Sequence, residues 1–360
     1  MQQQLRPVRF SRQTSVRVSA TVAGAKPQQN ASLPTLTNQL EALKSMSTVV
    51  ADTGEPRLVK LYKPQDCTTN PSLVLKAAQS SEYAHLLQGA LAAQKAHKGP
   101  AISADPTRPF AAVADLLAVD LGCQMLDIVR GRVSTEVDAH LSYDSTATYD
   151  KALHLVDLYA KRGVGLERLY IKIASTWEGI EACRRLQAQG IDCNMTLLFS
   201  FAQAAACADA GAALISPFVG RIMDWYKAKE GREFAPEEDP GVLSVKRIYT
   251  YYKTHSYPTI VMAASFRNVG EIRELAGCDN ITISPQLLAE LEACSDPLPR
   301  KLHPGMRDDS LTKLVISKAS FDTLHSADAM AVEKLAQGIE GFAADQRKLE
   351  AMLAQAAGNA

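Results

Sequence analysis

Cysteine and histidine are sparse in this 360-residue sequence, and neither is grouped as a metal site requires. The seven cysteines form no C-x-x-C pair and are scattered along the chain: Cys67, Cys123, Cys183, Cys193, Cys207, Cys278 and Cys294. An odd, scattered set argues against a disulfide framework or a zinc site and favours buried thiols in a reducing compartment. The seven histidines include no pair at ligand spacing, so we expect no metal.

Net charge and long apolar runs are also absent. Lysine plus arginine and aspartate plus glutamate balance at 39 each, so no basic field would attract a nucleic acid. No apolar run approaches the roughly 20 residues that a membrane-spanning helix needs. With 46% hydrophobic residues the chain can bury a large core. These features predict a soluble globular protein without a membrane or nucleic-acid partner.

Acidic residues are missing from the start of the chain, where the first one is Glu41. Five cations precede it in a Ser/Ala/Gln-rich stretch: Arg6, Arg9, Arg12, Arg17 and Lys26. This pattern predicts a cleavable organelle leader over residues 1–31, followed by a single domain over 32–360. Removing the five leaves 34 positive charges against 39 negative, a net charge of −5.

The organelle is less well defined, because mitochondrial and plastid leaders share this composition. Pro7 would interrupt the amphipathic helix of a mitochondrial leader, and residues 17–21 offer small residues for cleavage, so we favour the chloroplast stroma. The mitochondrial matrix, the cytoplasm and a tail that carries no address remain as alternatives.

Short runs rich in Val, Ile and Thr alternate with helical patterns after the leader. Eight such runs predict strands over residues 48–52, 67–70, 133–137, 169–174, 192–199, 213–219, 259–265 and 280–283. Strands that alternate with helices indicate a parallel sheet, and eight units close into a (β/α)₈ TIM barrel. Residues 328–356 predict a long amphipathic C-terminal helix, packed on the barrel or on a neighbouring subunit.

Lys172 is a lysine inside an apolar strand, between Ile171 and Ile173. Because a strand alternates its faces, outward isoleucines would direct Tyr170, Lys172 and Ala174 into the barrel. Desolvation there favours the neutral, nucleophilic amine. The alternative is a structural lysine held in a buried ion pair.

Polar side chains recur on the other predicted strands. They are Asp52, Asn70, Ser134, Glu136, Asn194, Thr196 and Ser265, with Arg267 just beyond the strand end. Any one of these could be a structural hydrogen-bonding residue. Together with Lys172 they predict an active site at the C-terminal face of the barrel, where (β/α)₈ enzymes carry theirs.

Long segments also resemble the transaldolase family, from about Leu40 to the end of the chain. The matching segments are 47–54, 68–73, 133–138, 171–177, 193–201, 215–222, 224–226 and 264–268. They are similar to the long form, which has a C-terminal helix. One departure is Ala263, which stands where glycine is usual and is expected to narrow the phosphate pocket.

The resemblance implies a role for each of four catalytic residues. Lys172 would form an imine with the ketose carbonyl, and Asp52 would act as acid and base on the C4 hydroxyl. Glu136, with Thr196, would hold the water that moves protons during imine formation and hydrolysis.

The resemblance also implies a set of substrate-binding residues. Arg221 and Arg267 would hold the phosphate, because guanidinium matches phosphate in a bidentate geometry; a surface ion pair is the alternative for both. The sugar-binding residues would be Asn70, Asn194, Ser216, Phe218 and Ser265.

The implied reaction transfers a dihydroxyacetone unit from sedoheptulose 7-phosphate to glyceraldehyde 3-phosphate, giving erythrose 4-phosphate and fructose 6-phosphate. No cofactor is expected, because the lysine supplies the electrophilic assistance. A homodimer is expected by resemblance alone. Two alternatives stay open: a Schiff-base aldolase related to fructose-6-phosphate aldolase that releases free dihydroxyacetone, and a scaffold protein that kept the barrel but lost the chemistry.

Overall fold

A computed structural model describes residues 38–96 and 107–358. The predicted leader over residues 1–31 lies outside this part of the chain. The described residues form a closed barrel of eight parallel strands in sequential order. The strands are β1 (Thr48–Asp52), β2 (Asp66–Thr68), β3 (Val133–Glu136), β4 (Leu169–Ala174), β5 (Cys193–Leu198), β6 (Leu214–Pro217), β7 (Ile260–Ala263) and β8 (Asn280–Ile283). The predicted (β/α)₈ barrel is confirmed.

Helices follow the strands and surround the barrel. They are α1 (Gln39–Lys44), α2 (Pro56–Tyr62), α3 (Pro71–Ala78), α4 (Ala84–Ala96), α5 (Ala111–Leu126), α6 (Ser145–Ala160), α7 (Trp177–Gln187), α8 (Phe201–Asp209), α9 (Val219–Glu230), α10 (Pro240–Thr254), α11 (Val269–Glu274), α12 (Pro285–Ala293), α13 (Lys318–Ser326) and α14 (Ala329–Gly358). In the described ranges, none of them is both long and apolar enough to cross a membrane.

Several helices begin directly after a strand, at a residue whose side chain caps the helix. The Asn70 Oδ1 atom accepts the N–H of Leu73, and the Ser200 hydroxyl accepts that of Gln203. Such caps satisfy N–H groups that have no partner within the helix. Because the caps fix where each helix starts, they also fix where the strand before it ends, at the C-terminal face of the barrel.

The barrel interior has an apolar floor below a polar layer. The floor is a buried cluster of Val50, Tyr170, Leu214 and Met262. Two positions after each of them, on the same strand or just beyond its end, comes a residue that lines the polar cavity described below. Val50 precedes Asp52, Tyr170 precedes Lys172, Leu214 precedes Ser216 and Met262 precedes Ala264. Residues two apart in a strand share a face, so the predicted inward direction of Tyr170 and Lys172 is confirmed.

The C-terminal helix α14 packs on the barrel of its own chain. Its buried residues Met330, Leu335, Ile339 and Phe342 form one cluster with Ala174, Leu197, Phe199 and Phe218 of the barrel mouth. The predicted long amphipathic helix is confirmed. Its apolar face covers the C-terminal ends of the strands, so α14 forms a wall of whatever site lies there.

Candidate active site

Lys172 lies at the centre of the barrel, near the C-terminal ends of the strands. Its side chain is 5% exposed, and its Nζ atom donates a hydrogen bond to the Thr69 carbonyl oxygen at 3.0 Å. The Nζ atom is also 3.2 Å from Glu136 Oε2. This position follows from strand pairing, because Glu136 of β3 is the direct neighbour of Lys172 in β4. An amine held this way can attack a carbonyl that enters from the barrel mouth.

Glu136 and Thr196 each present a buried oxygen without a hydrogen-bond partner among the described residues. The atoms are Glu136 Oε2 and Thr196 Oγ1. The first is close to Lys172 Nζ but does not meet it in hydrogen-bond geometry. Burial raises the pKa of the Glu136 carboxyl, and the positive charges of Lys172 and Arg221 oppose that effect. Buried polar atoms are nearly always satisfied, so these two oxygens are available to a bound molecule.

Asp52 ends β1 on the other side of Lys172. Its Oδ1 atom accepts a hydrogen bond from the Thr68 hydroxyl at 3.2 Å. Burial raises the pKa of Asp52, while the charge of Lys172, the Thr68 hydrogen bond and Arg221 lower it. A buried carboxyl group with a raised pKa, next to the Lys172 amine, is suited to exchange protons with a bound substrate.

Three polar side chains form a hydrogen-bonded chain across β3, β5 and β6. The Ser216 hydroxyl donates to Asn194 Oδ1 at 2.6 Å, and Asn194 Nδ2 donates to the Ser134 hydroxyl at 3.1 Å. All three side chains are buried. The bonds orient the Asn194 amide, so the polar layer is built before any ligand arrives.

A small cavity of about 50 Å³ connects most of the predicted site residues. Its lining is Asp52, Thr68, Asn70, Lys172, Ser216, Phe218, Arg221, Met262, Ala264, Ser265, Thr282 and Phe342. Ser265 has a left-handed backbone (φ 62°), which is uncommon for a residue other than glycine and is typical of functional sites. Among the predicted residues, Glu136, Asn194, Thr196 and Arg267 do not line this cavity. The first two connect to it through the contacts described above.

The Arg221 side chain is half-buried and lies near two aromatic rings. Within the described residues it forms no ion pair, and its Cζ atom lies 5.0 Å from the Phe218 ring centroid and 5.6 Å from that of Phe342. Burial and the nearby charge of Arg267 lower the pKa of Arg221. A buried cation needs a compensating anion, so this arrangement suits an anionic ligand group.

Arg267 is placed differently from Arg221. Its guanidinium is 40% exposed and pairs with Asp224 at 2.7 Å through Nη2 and 3.1 Å through Nε. The ion pair that stood as an alternative is therefore present for Arg267 and absent for Arg221. Arg267 can contribute a second positive charge beside Arg221, but Asp224 already compensates part of it.

One sequence-based expectation is wrong, and one strand departs from simple alternation. Leu197 has a left-handed backbone (φ 51°) where the β5–β6 register shifts, and it packs in the cluster at the barrel mouth. A bulge of this kind breaks the alternation of faces. Ala263 was expected to narrow the phosphate pocket, but it is buried in the main core, while its neighbours Met262 and Ala264 line the cavity.

Sequence reasoning also missed residues that the structure brings to the site. Thr68 shares a strand face with Asn70 and could have been found by parity. Thr282 hydrogen-bonds to Thr68 at 3.3 Å and so adds a polar side chain from β8 to the polar layer. Phe342 comes from α14, and no local signal distinguishes it from the other apolar residues of that helix.

Comparison with known proteins agrees with this geometry. Residues 49–353 match the family model "Transaldolase/Fructose-6-phosphate aldolase". The proteins named transaldolase from Vibrio cholerae (strain M66-2) and Aliivibrio fischeri (strain MJ11) are 56% and 54% identical over 319 residues, which is 89% of this chain and 99% of each relative. The transaldolase of Cellvibrio japonicus is 55% identical over 88% of this chain and 98% of its own length.

One solved structure is a far more distant match. It is an IMP dehydrogenase/GMP reductase-like protein from Corynebacterium glutamicum, with a TM-score of 0.39 and 13% identity over 67% of this chain and 64% of that one. The family match covers residues 49–353, and the three transaldolases are at least 54% identical over nearly their whole length, so the family assignment rests on them and not on the solved structure. This chain belongs to the transaldolase/fructose-6-phosphate aldolase family.

Proposed function

We propose that Lys172 is the Schiff-base lysine of a transaldolase reaction catalysed by this chain. The reaction transfers a dihydroxyacetone unit from sedoheptulose 7-phosphate to glyceraldehyde 3-phosphate and gives erythrose 4-phosphate and fructose 6-phosphate. The observation that carries the proposal is a buried amine 3.2 Å from a carboxylate, inside a polar layer at the C-terminal face of the barrel.

The first step joins the ketose to Lys172. The Nζ atom attacks the C2 carbonyl carbon, and the carbonyl oxygen leaves as water once it has been protonated. Glu136 serves as the proton donor and acceptor for this exchange, through a water that its Oε2 atom shares with Thr196 Oγ1. Among the described residues both oxygens lack a hydrogen-bond partner, and burial raises the pKa of Glu136, which favours the form that carries a proton.

The second step breaks the bond between C3 and C4. Asp52 removes the proton of the C4 hydroxyl, the C4–O bond becomes a carbonyl, and the electrons of the C3–C4 bond move into the iminium. Erythrose 4-phosphate then leaves, and a three-carbon enamine stays on Lys172. The enamine attacks the aldehyde of glyceraldehyde 3-phosphate, Asp52 returns its proton, and hydrolysis of the new imine releases fructose 6-phosphate.

The remaining predicted residues hold the substrate. Asn70, Asn194 and Ser216 hydrogen-bond the dihydroxyacetone hydroxyls, next to Phe218 and Ser265. Arg221 supplies the main positive charge for the phosphate, because its guanidinium has no acidic partner within the described residues, and Arg267 assists from its ion pair with Asp224.

Borohydride trapping tests the role of Lys172. Hydride reduction of the imine should leave a three-carbon adduct on Lys172 after incubation with fructose 6-phosphate, detected by peptide mass spectrometry. Lys172→Ala should lose the adduct and the activity, whereas Lys76→Ala, which removes an exposed lysine, should keep both. An adduct that persists in Lys172→Ala contradicts the assignment.

An acceptor-dependence assay separates transfer from simple cleavage. A transaldolase should release little free dihydroxyacetone when no acceptor aldehyde is present, because the enamine waits on Lys172. Steady release without acceptor would instead identify a fructose-6-phosphate aldolase activity. Undetectable turnover in the pure protein would favour the scaffold alternative.

We further propose that residues 1–31 are a cleaved leader and that the mature protein works in the chloroplast stroma as a homodimer. Support comes from the five cations before Glu41 and from Pro7. The N-terminal residue of the protein isolated from cells, together with its organelle, tests the leader; light scattering of the mature form tests the dimer. An intact Met1 or a mitochondrial location would contradict this proposal.

A further inference from the structure

A second, much larger cavity opens at the opposite end of the barrel from Lys172. It has a volume of about 850 Å³, against about 50 Å³ for the cavity at the active site. The first residues of β1, β7 and β8 line it, namely Thr48, Ile260 and Asn280. It therefore lies at the N-terminal face, and we call it the basal cavity. We propose that the basal cavity binds a small phosphorylated metabolite.

The lining of the basal cavity is positively charged in a chain that has no net charge. Its cations are Lys44, Lys63, Lys253 and Arg300, and Asp279 is the acidic residue that lines it with them. Asp279 pairs with Lys253 at 2.8 Å, and Lys44 pairs with Glu41 at 2.8 Å. Lys63 and Arg300 have no carboxylate partner in the described part of the chain. Two such cations on one concave surface favour an anionic ligand.

Backbone hydrogen bonds hold the residues after Arg300 against the loop that precedes β8. The backbone N–H groups of Lys301 and Leu302 both donate to the Ala276 carbonyl, at 2.8 and 3.0 Å. This close approach depends on Gly277 (φ 100°), where an added Cβ would lie 2.0 Å from the Leu302 carbonyl oxygen and 3.0 Å from Arg300 Cγ. The Arg300 Nη1 atom itself donates to the Met46 and Leu302 carbonyl oxygens, each at 3.4 Å, so backbone groups position the guanidinium before any ligand binds.

A buried hydroxyl group lies at the wall of the same cavity. Tyr249 is fully buried, lines the basal cavity, and has a hydroxyl without a hydrogen-bond partner among the described residues. The charges of Asp279 and Arg300 both act on this phenol. Buried hydroxyl groups are normally paired, so one that has no partner among the described residues, beside cations that have no carboxylate partner there, indicates a missing acceptor. Phosphate oxygens are acceptors of the required kind.

The size of the basal cavity limits the ligand to a small molecule. A volume of about 850 Å³ lies in the range of small-molecule sites. A neighbouring cavity shares Lys63 and adds Lys60 and Arg130 together with one acidic residue, Asp127, so a positive excess continues to one side. A nucleic acid would need a longer basic stripe and a basic field around it, and the balanced charge of the chain supplies no such field.

Equilibrium dialysis of radiolabelled inorganic pyrophosphate against the full-length protein at low ionic strength tests this site. Wild type should bind two equivalents, one in each cavity, and Arg221→Ala should keep the basal one. Adding Lys63→Ala and Arg300→Ala to Arg221→Ala should weaken the remaining binding at least about tenfold. Lys301→Ala is the matched control, because Lys301 is adjacent in sequence but pairs with Glu274.

Tyr249→Phe tests the hydroxyl without disturbing the fold. It removes one buried oxygen and should weaken basal pyrophosphate binding several-fold in the Arg221→Ala background. Lys63→Ala/Arg300→Ala should retain transaldolase turnover, which separates this test from that of Lys172. The inference is overturned if Arg221→Ala alone abolishes all binding, if the basal variants bind like their controls, or if a single-stranded oligonucleotide binds while pyrophosphate does not.

Discussion

Thr196 has a proposed role in catalysis and contributes little to stability. Its hydroxyl is buried and has no hydrogen-bond partner among the described residues, so its burial costs desolvation free energy that no hydrogen bond there returns. Strand pairing alone accounts for its position, beside Ala174 and two residues after Asn194. A polar group kept in such a place is best explained by a molecule that binds there during the reaction.

Thr196→Val should therefore separate stability from activity. Valine has nearly the same shape, so we expect unchanged or slightly higher stability in urea unfolding. Imine formation and hydrolysis should slow about tenfold or more, because the water at Glu136 loses one anchor. The rate of borohydride-trappable adduct formation measures the effect. Wild-type trapping kinetics in this variant would argue against the role proposed for Thr196.

Glu271 gives a pH dependence whose sign can be worked out. Burial raises its pKa from 4.5 to about 7, and the neighbouring Asp239 adds to this, against a hydrogen bond from the Arg267 backbone N–H. The folded state thus favours the protonated carboxyl. Its stabilising contribution is present below about pH 4.5 and is lost as the pH rises through about 7. Glu271→Gln should accordingly reduce the loss of stability between these pH values.

Glu274, in the same helix, is the matched control for that measurement. Despite burial, hydrogen bonds from Lys246 and Lys301 lower its pKa below 4.5. Its stabilising contribution is present above that value and is lost as the pH falls. Urea unfolding at several pH values should show that Glu271→Gln and Glu274→Gln change the slope in opposite directions. Changes of the same sign would contradict the assignment.

At the scale of elements, α14 decides how much room the active site has. Gly338 faces the barrel mouth, where an added Cβ would lie 2.7 Å from Leu197 Cδ2 and 3.4 Å from Arg221 Nη1. Phe342, one turn later, lines the active-site cavity. The helix therefore contributes both a wall, at Phe342, and the space that the Leu197 side chain occupies, at Gly338.

Two glycines of α14 allow a controlled test of this clearance. Gly341→Ala meets nothing within 4 Å, so it should stabilise the protein by about 0.5–1 kcal/mol through helix propensity. Gly338→Ala should lose that gain to the close contact with Leu197 and should raise the KM for fructose 6-phosphate several-fold, because the shifted Leu197 side chain packs at the barrel mouth. Unfolding and steady-state kinetics of both variants measure this. Equal behaviour of the two would refute the claim that Gly338 is needed for space.

Elements were predictable from sequence to different degrees. The bounds of β1, β4 and β8 match the predicted runs. Alternation within a strand and capping at a helix start are local effects, which is why they can be read directly. The bulge at Leu197 could not be predicted from local sequence, because it depends on how β5 pairs with β6.

On the scale of the whole molecule, one buried ion cluster joins distant parts of the chain. Arg108, before α5, pairs with Asp138 beyond β3 at 2.7 Å and also with Glu350 of α14. Both carboxylates are largely buried. The cluster therefore fastens the C-terminal helix to the barrel close to Glu136.

Arg108→Ala should be strongly destabilising for that reason. It would leave two buried carboxylates without their shared partner, which typically costs about 3 kcal/mol or more. Arg347→Ala, which removes an exposed arginine paired with Glu340, should change stability by less than about 1 kcal/mol. Urea unfolding measures both, and hydrogen exchange should rise in α14 only for Arg108→Ala. Similar losses for the two variants would contradict this account.

The sequence by itself determined the barrel, the inward direction of Lys172 and the polar strand ends, because strand alternation, capping and hydrophobic period act over a few residues. The tertiary structure alone decided that, among the described residues, Arg267 has an acidic partner and Arg221 has none. It also decided that Phe342 and Gly338 shape the candidate active site and that cations line the basal cavity. Those facts depend on contacts that form only when the barrel closes. Such contacts join side chains that are tens to hundreds of residues apart in the sequence. No local pattern encodes such distances.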